Sequence, residues 1–268
     1  MRTTPLLSPV MTEFIEAPAT LPEGQRAYAI GDVHGCLEQL EALHQAVAAD
    51  LAERPVAEAV LVHLGDYVDR GPDSAAVVAR LAAGPPIPGL YTVNLMGNHE
   101  HMMLDALVSG QEEAAELWLS NGGANTLFSW GVPRQAPQAE WAGRIPVAHL
   151  LFLRDLALIH HVGPYLFVHA GLRPGIPLHR QARQDMLWIR EPFLSAKGPF
   201  LRDTPRNALE GAGGAAGAEP AMVVVHGHTP TQEPVVRSNR IGIDTGAVMG
   251  GVLTCAVLEG DRVGFLTN

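Results

Sequence analysis

Two cysteines, Cys36 and Cys255, are all that the 268 residues hold. So few cannot build a disulfide framework, and a reducing compartment is the default. Long apolar runs are missing as well. No window approaches 18 consecutive apolar residues, so no membrane span is expected. The opening MRTTPLLSPVMTEF has one arginine and no sustained apolar stretch, and does not read as a signal peptide. A cytoplasmic protein without a membrane partner is the expectation. Positive charge is scarce too: 18 Lys and Arg against 28 Asp and Glu leave a formal net charge of −10. Proteins that grip nucleic-acid backbones neutralise phosphates with basic side chains, so no nucleic-acid partner is expected. If such a chain handles phosphate, positive charge has to be gathered locally, and metal ions are the obvious carriers. Charged residues make up only 17% against 47% hydrophobic, which excludes disorder throughout and supplies apolar surface for one sizeable core.

Residues 1–25 contain four prolines and little periodicity, and read as a loose, flexible tail with at most a lead-in strand. From residue 26 onward the pattern becomes regular. Short apolar runs at Arg26–Ile30, Ala59–Leu64 and Leu90–Met96 predict strands. Leu37, Leu40, Leu43, Val47 and Leu51 recur at helical spacing over 37–52, and helical patterns follow at 73–83, 99–108 and 111–129. Further strand-like runs lie at Tyr165–Val168, Met222–Val225, Ile241–Ile243, Val252–Leu258 and Arg262–Leu266, the last two flanking a Glu259-Gly260-Asp261 hairpin turn. The Gly/Ala-rich stretch 207–220 reads as a flexible loop. Alternating strand and helix followed by mostly strand predicts an α/β fold with a large mixed sheet or two packed sheets. No boundary cuts residues 26–268, which are expected to form a single domain.

Three of the predicted strands end alike, in an apolar run, a glycine and a metal-capable oxygen ligand. The sequences are Gly31-Asp32-Val33-His34-Gly35, Gly65-Asp66-Tyr67-Val68-Asp69-Arg70-Gly71 and Gly97-Asn98-His99-Glu100. Two later strands end in histidine, at Val168-His169-Ala170-Gly171 and Val225-His226-Gly227-His228-Thr229. Ligands of α/β sheets bind beyond the carboxyl ends of strands, where residues distant in sequence converge. Carboxylate, amide and imidazole donors, with no cysteine near them but Cys36 just after the first block, suit a borderline divalent ion such as Mn²⁺, Fe²⁺ or Zn²⁺. One aspartate can bridge two such ions roughly 3.5–4 Å apart, a spacing that polarises a phosphoryl group and ionises a shared water for in-line attack. No covalent enzyme intermediate is required.

In this order, GDVHG, GDYVDRG, GNHE, HAG and GHT resemble the metal-dependent phosphoprotein phosphatases within the calcineurin-like metallophosphoesterases. The likeness spans about residues 26–250 and is nearest to the compact bacterial and phage members. Any one block is weak, but five in order, each after a strand-like run, are a strong signal. The resemblance implies two packed mixed β-sheets flanked by helices, an α-β-β-α sandwich. It also implies that Asp32 and His34 bind a first metal, that Asp66 bridges, and that Asn98, His169 and His228 bind a second. His99 is then the general acid, Asp69 the carboxylate that orients it, and Arg70 the phosphate clamp. A second phosphate-binding arginine is expected after HAG, and Arg190 in Leu187-Trp188-Ile189-Arg190-Glu191 fits. Alignment on GHT favours His228 over His226, which is left as a supporting residue.

A lone Asp or His after a strand is usually a turn residue, and the remaining histidines have no such joint support. His63 reads as a core residue, His44 and His179 as surface residues, and His149, His160 and His161 as loop or end positions. Cys36 reads as a buried helix-start residue rather than a reactive thiol. Trp118, Trp130 and Trp141 suit core packing and a cap over the site equally, and Asp244 suits a turn and a supporting role equally. The expected activity is hydrolysis of phosphomonoesters, with phosphoserine and phosphothreonine in proteins preferred over small phosphoesters. The alternative is a symmetrical bis(5'-nucleosyl)-tetraphosphatase. Bacterial members of that type replace the first-block histidine and the acidic residue of VDRG, whereas this chain keeps His34 and Asp69. An inactive phospho-binding module is disfavoured because every expected ligand is present. No regulatory subunit is expected, since nothing after residue 250 matches the regulatory tails of eukaryotic relatives.

Overall fold

A computed structural model describes residues 9–201 and 221–268. The predicted loop at 207–220 lies outside the described residues. The chain opens with two short strands, β1 (Val10–Met11) and β2 (Ile15–Glu16), before β3 (Gln25–Ile30), α1 (Leu37–Glu53), β4 (Glu58–His63), α2 (Ser74–Ala82), β5 (Tyr91–Asn94) and α3 (Asn98–Val108). A helical stretch follows: α4 (Glu112–Trp118), a π-turn at Leu119–Gly123, α5 (Ala124–Ser129), α6 (Gln138–Trp141) and α7 (Val147–Arg154). Then come β6 (Ile159–Val162), β7 (Tyr165–Val168), α8 (Arg183–Trp188), β8 (Phe200–Leu201), β9 (Ala221–His226), β10 (Val235–Arg237), β11 (Arg240–Gly242), β12 (Thr254–Glu259) and β13 (Arg262–Thr267).

These strands form two mixed sheets. One runs β1-β13-β12-β3-β4-β5, with β2 also on β13; the other runs β10-β11-β9-β7-β6, with β8 on β9. Strands β3, β4 and β5 are parallel, as are β7, β9 and β11, while outer strands pair antiparallel. Period-2 alternation builds the layers. Along β3, Tyr28 and Ile30 face the helices while Ala27 and Ala29 face the second sheet. On β7, Tyr165 and Phe167 face the first sheet while Leu166 and Val168 pack on Met186, Ile189 and Phe193. Small alanines on β3 and β12 (Ala27, Ala29, Ala256) oppose the bulky Tyr165, Phe167 and Ile241, so the two sheets interdigitate. The expected sandwich of two mixed sheets with flanking helices is present.

Several expectations need correction. From Pro9 onward the amino-terminal segment is not loose: Val10 and Met11 pair with Thr267 and Leu266, Ile15 with Val263, and Leu21 is buried. Backbone pairing to β13 compensates for its poor periodicity. The helix expected over 111–129 is interrupted, because Gly122 takes a left-handed φ of 105° inside the π-turn. His160 and His161 lie within β6, not in a loop; only two apolar residues flank them, too weak a strand signal. His44 is buried, not on the surface, with its Nε2 2.8 Å from Nε2 of His63. Among the described residues no helix is long and apolar enough to cross a membrane.

Candidate active site

The carboxyl ends of β3, β4, β5, β7 and β9 meet at one edge of the paired sheets, and every residue expected to bind metal sits there. Asp32, His34, Asp66, Asn98, His169 and His228 are all buried. The backbone is strained in the same place. Among the described residues, the non-glycine positions with left-handed φ are His34, Asp66, Asp69, Arg70 and His228, all of them site residues. Each such conformation costs about 1–3 kcal/mol and persists only where surrounding structure enforces it.

Asp66 stands at the centre. Its carboxylate lies 3.5 Å from His34 Nε2 and 3.4 Å from His169 Nε2. Two compact donor groups share it, one with His34 and His99, the other with His169 and His228. Asn98 joins the second group through Oδ1, 2.9 Å from both His169 Nε2 and His228 Nδ1.

Tautomers show what this cluster is built for. His34 Nδ1 faces Val68 O at 2.8 Å, His169 Nδ1 faces Leu64 O at 2.9 Å, and His228 Nε2 faces Trp188 O at 3.2 Å. A carbonyl only accepts, so each of these nitrogens carries the hydrogen. The other nitrogen of each ring therefore presents a lone pair toward the oxygens of Asp66 and Asn98, which are acceptors too. Burial reinforces the neutral form, lowering His34 and His228 to about 3. Neutral imidazoles fixed by outer hydrogen bonds, with lone pairs converging on carboxylate and amide oxygens, are the donor arrangement of a divalent cation site. The residues present therefore fit a pair of divalent ions.

Asp32 is placed differently from the other ligands and belongs to neither compact group. Both of its oxygens accept the His228 N–H, at 3.1 and 3.0 Å. Gly227 makes that approach possible, because a Cβ there would lie 2.0 Å from Asp32 Oδ1. Burial and the neighbouring carboxylates of Asp244 and Asp66 push Asp32 well above the usual range, and burial pushes Asp244 up to about 6. Carboxylates crowded this way require a cation to ionise together.

Next to the cluster, His99 Nδ1 contacts Asp69 Oδ2 at 2.7 Å. Burial opposes a charged His99, yet Asp66 and Asp69 raise its pKa overall. Arg70 is exposed and reaches in, Nη1 donating to His34 Nε2 at 2.8 Å and Nη2 to His99 Nε2 at 2.9 Å. Arg190, also exposed, stands at the rim and donates to His228 O at 3.4 Å. His226 is buried, with Nδ1 on Gly227 O at 3.0 Å, and does not join the donor cluster. Cys36 is half-buried, and burial pushes its thiol up to about 11, as suits a structural residue.

Three residues carry more than the sequence reading assigned to them. Glu100 accepts four backbone N–H groups, from Asp66 (2.9 Å), Tyr67 (2.7 Å), Val68 (3.2 Å) and Gly97 (2.9 Å). A glutamate three residues into a helix after Gly97 is a capping pattern that could have been recognised. Trp118 and Thr126 both donate to Asp69, and no local pattern announces either contact.

A family model for calcineurin-like phosphoesterases matches residues 26–245. Among curated proteins, the chain is similar to serine/threonine-protein phosphatase 1 of Salmonella typhimurium, at 31% identity over 88% of this chain and 93% of that protein. It is also similar to a symmetrical bis(5'-nucleosyl)-tetraphosphatase of an Acidovorax species, at 26% identity over 85% of this chain and 90% of that protein. Among solved structures, a putative diadenosine tetraphosphatase superposes with a TM-score of 0.54 at 26% identity, covering 91% of this chain and 93% of that one.

Proposed function

The chain belongs to the calcineurin-like phosphoesterase family, and we propose that it hydrolyses phosphomonoesters, with phosphoserine and phosphothreonine in proteins as the preferred class. The observation that carries this reading is the buried Asp69–His99 pair, 2.7 Å apart and adjoining Asp66. An alkoxide leaving from serine or threonine needs a proton, and a positioned acid supplies it. The similarity to a Salmonella serine/threonine phosphatase over most of both chains supports the same class.

Asp32, His34 and Asp66 would hold one divalent ion, and Asp66, Asn98, His169 and His228 the other; Mn²⁺ is the ion we propose, and Fe²⁺ and Zn²⁺ suit the same donors. When bound, such ions neutralise phosphoryl oxygens and make a nucleophile available from water at neutral pH. The chain's own groups do the rest. Arg70 and Arg190 turn their guanidinium groups to the phosphoryl oxygens, where the planar fork fits two at once. Asp69 accepts the His99 Nδ1–H, and Arg70 donates to Nε2 here, so this Nε2 is unprotonated. Once Arg70 turns to the phosphate, Nε2 takes a proton from solvent, the neighbouring Asp66 and Asp69 favour the resulting imidazolium, and its Nε2–H passes to the leaving oxygen, returning the ring to its neutral form.

The second reading is a dinucleoside polyphosphate hydrolase, favoured by the similar tetraphosphatases. Retention of His34 and Asp69, both integrated into the cluster, supports the phosphatase instead. Turnover of a phosphoserine peptide, phenyl phosphate and diadenosine tetraphosphate by the Mn²⁺-loaded protein tests the choice. A higher kcat/KM on the peptide is expected. A preference for the dinucleotide would install the second reading, and failure on all three would remove both.

A further inference from the structure

Asp69 has no exposure to solvent, and its two oxygens receive donors from three residues. His99 Nδ1 reaches Oδ2 at 2.7 Å, and Thr126 Oγ1 donates to Oδ1 at 2.7 Å. The indole Nε1 of Trp118 straddles the carboxylate, 2.9 Å from Oδ1 and 3.0 Å from Oδ2. Trp118 is itself fully buried, packed edge-on against Trp141 with ring centroids 5.9 Å apart. A buried indole N–H has to find an acceptor, and here it has found the carboxylate behind the acid histidine.

The segment that follows Trp118 is shaped to keep it there. A Cβ on Gly123 would stand 2.7 Å from the indole ring, and one on Gly122 would stand 2.7 Å from the Arg70 backbone nitrogen. Gly122 O accepts the Arg70 N–H at 3.3 Å, and Asn125 donates to Arg70 O. Thr126 Oγ1 also accepts the Asp69 N–H at 2.8 Å. The stretch from Trp118 to Thr126 thus grips the Asp69-Arg70 dipeptide by its carboxylate and by backbone groups of both residues.

We propose that Trp118 is a positioning residue for proton transfer: its indole N–H, together with the Thr126 hydroxyl, fixes the rotation of the Asp69 carboxylate and so the ring plane of His99. The inference rests on the reading of His99 as general acid and extends it to residues that touch neither phosphate nor metal ligands. Both supports belong to the helical stretch between the two sheets' strands, so that stretch is part of the catalytic frame as well as a cover. A role confined to packing predicts that losing the N–H lowers stability and leaves the kinetics of all substrates equally affected. A positioning role predicts a loss that grows with the leaving group's need for a proton.

The test compares phenyl phosphate with p-nitrophenyl phosphate for the Mn²⁺-loaded wild type, Trp118→Phe, Thr126→Val and His99→Asn. Phe keeps an aromatic ring but no N–H, and Val matches the shape of Thr without the hydroxyl. For Trp118→Phe, kcat is expected to fall about tenfold or more on phenyl phosphate and less than about threefold on p-nitrophenyl phosphate, a fraction of the 10²–10⁴ available to acid catalysis. Thr126→Val is expected to show the same asymmetry, and decides the matter if Trp118→Phe does not fold. A pronounced asymmetry in His99→Asn with equal losses on both substrates in the two supporting variants overturns the positioning role alone. Equal losses in His99→Asn overturn the acid reading itself, and with it this inference.

Discussion

Replacing Glu100 with alanine probes how the site's strained backbone is held. The side chain is fully buried, and its carboxylate is acceptor to the N–H groups of Asp66, Tyr67, Val68 and Gly97. A buried N–H left without a partner costs about 1–3 kcal/mol. Four of them set an upper range near 4–12 kcal/mol, and water entering the space vacated by the side chain lowers it. A loss of about 4 kcal/mol is therefore expected, a large share of the roughly 5–15 kcal/mol that holds a domain folded. With a urea slope of about 2–3 kcal/mol/M, the midpoint falls by about 1.3–2 M. Glu100→Gln gives an internal check. Oε1 serves Tyr67 and Val68 while Oε2 serves Asp66 and Gly97, so an amide satisfies one pair and turns its NH₂ on the other. Its loss should be about half that of alanine on the same per-bond scale. Urea unfolding followed by circular dichroism measures both variants. A loss below about 1 kcal/mol for Glu100→Ala would show that the turn at Asp66 is held by something else, and the argument would fail.

Two further perturbations isolate single contacts. Gly227→Ala places a methyl 2.0 Å from Asp32 Oδ1 at a residue whose own φ needs no glycine. Affinity for Mn²⁺ should fall about 10–100-fold, the usual effect of disturbing a ligand's supports, alongside an overpacking cost of about 1–3 kcal/mol in stability; undiminished affinity of the folded variant in a calorimetric titration counts against Asp32 as a ligand. Glu259 pairs with Arg26 at 2.9 Å and Arg54 at 2.8 Å, beside the Arg26–Asp50 contact. Partial burial would raise its pKa, but the two arginines hold it below the ordinary value of 4.5 in the fold. Its stabilising effect is therefore full above that ordinary value and lost as pH falls through the lower folded value. The stability gap between wild type and Glu259→Gln should be constant at neutral pH and close below about pH 4.5; a gap that widens on acidification contradicts the pairing.

The candidate metal cluster was legible in the sequence because each part is local. A strand that ends in glycine and then a ligand is written in three consecutive residues, and the parallel order of β3, β4 and β5 brings three such ends together. The two histidine ends follow from the same rule in the second sheet. What was not legible is pairing across the chain. Trp118 meets Asp69 from 49 positions away, and the His228 N–H meets Asp32 from 196. A buried tryptophan has the same sequence signature whether its N–H serves a buried carboxylate, as Trp118 does, or a backbone carbonyl, as Trp141 does with Ala136 O. His44 reads as a surface residue because a lone histidine on a helix carries no local sign of burial, yet its ring turns inward to His63. Helix α8 is six residues long, too short for periodicity to register, although it ends on Trp188, two residues before Arg190.

Strain explains why the legible and illegible parts need each other. Five site residues occupy left-handed backbone, at about 1–3 kcal/mol each, and three imidazoles aim lone pairs at oxygens. Within the glycine-ligand blocks, Glu100 under the Asp66 turn and the Val68 carbonyl behind His34 offset part of these costs. The rest of the offset comes from outside the blocks: Trp118 and Thr126 behind Asp69, and the carbonyls of Leu64 and Trp188 behind His169 and His228. Each of these acts by occupying the outward-facing valence of a site residue, which leaves only the inward one free. Preorganisation of this kind favours charge that arrives, whether a divalent ion or a phosphoryl group, over water that would otherwise have to reorganise around it. The same logic separates the roles along the helical stretch. Trp118, Gly122, Asn125 and Thr126 contact the Asp69-Arg70 dipeptide, so replacing any of them disturbs it. The outer faces of α5 and α7, with Phe128, Val147 and Leu151 exposed, carry no such tie, so substitutions there leave the Asp69 contacts undisturbed and have room to alter what the surface meets.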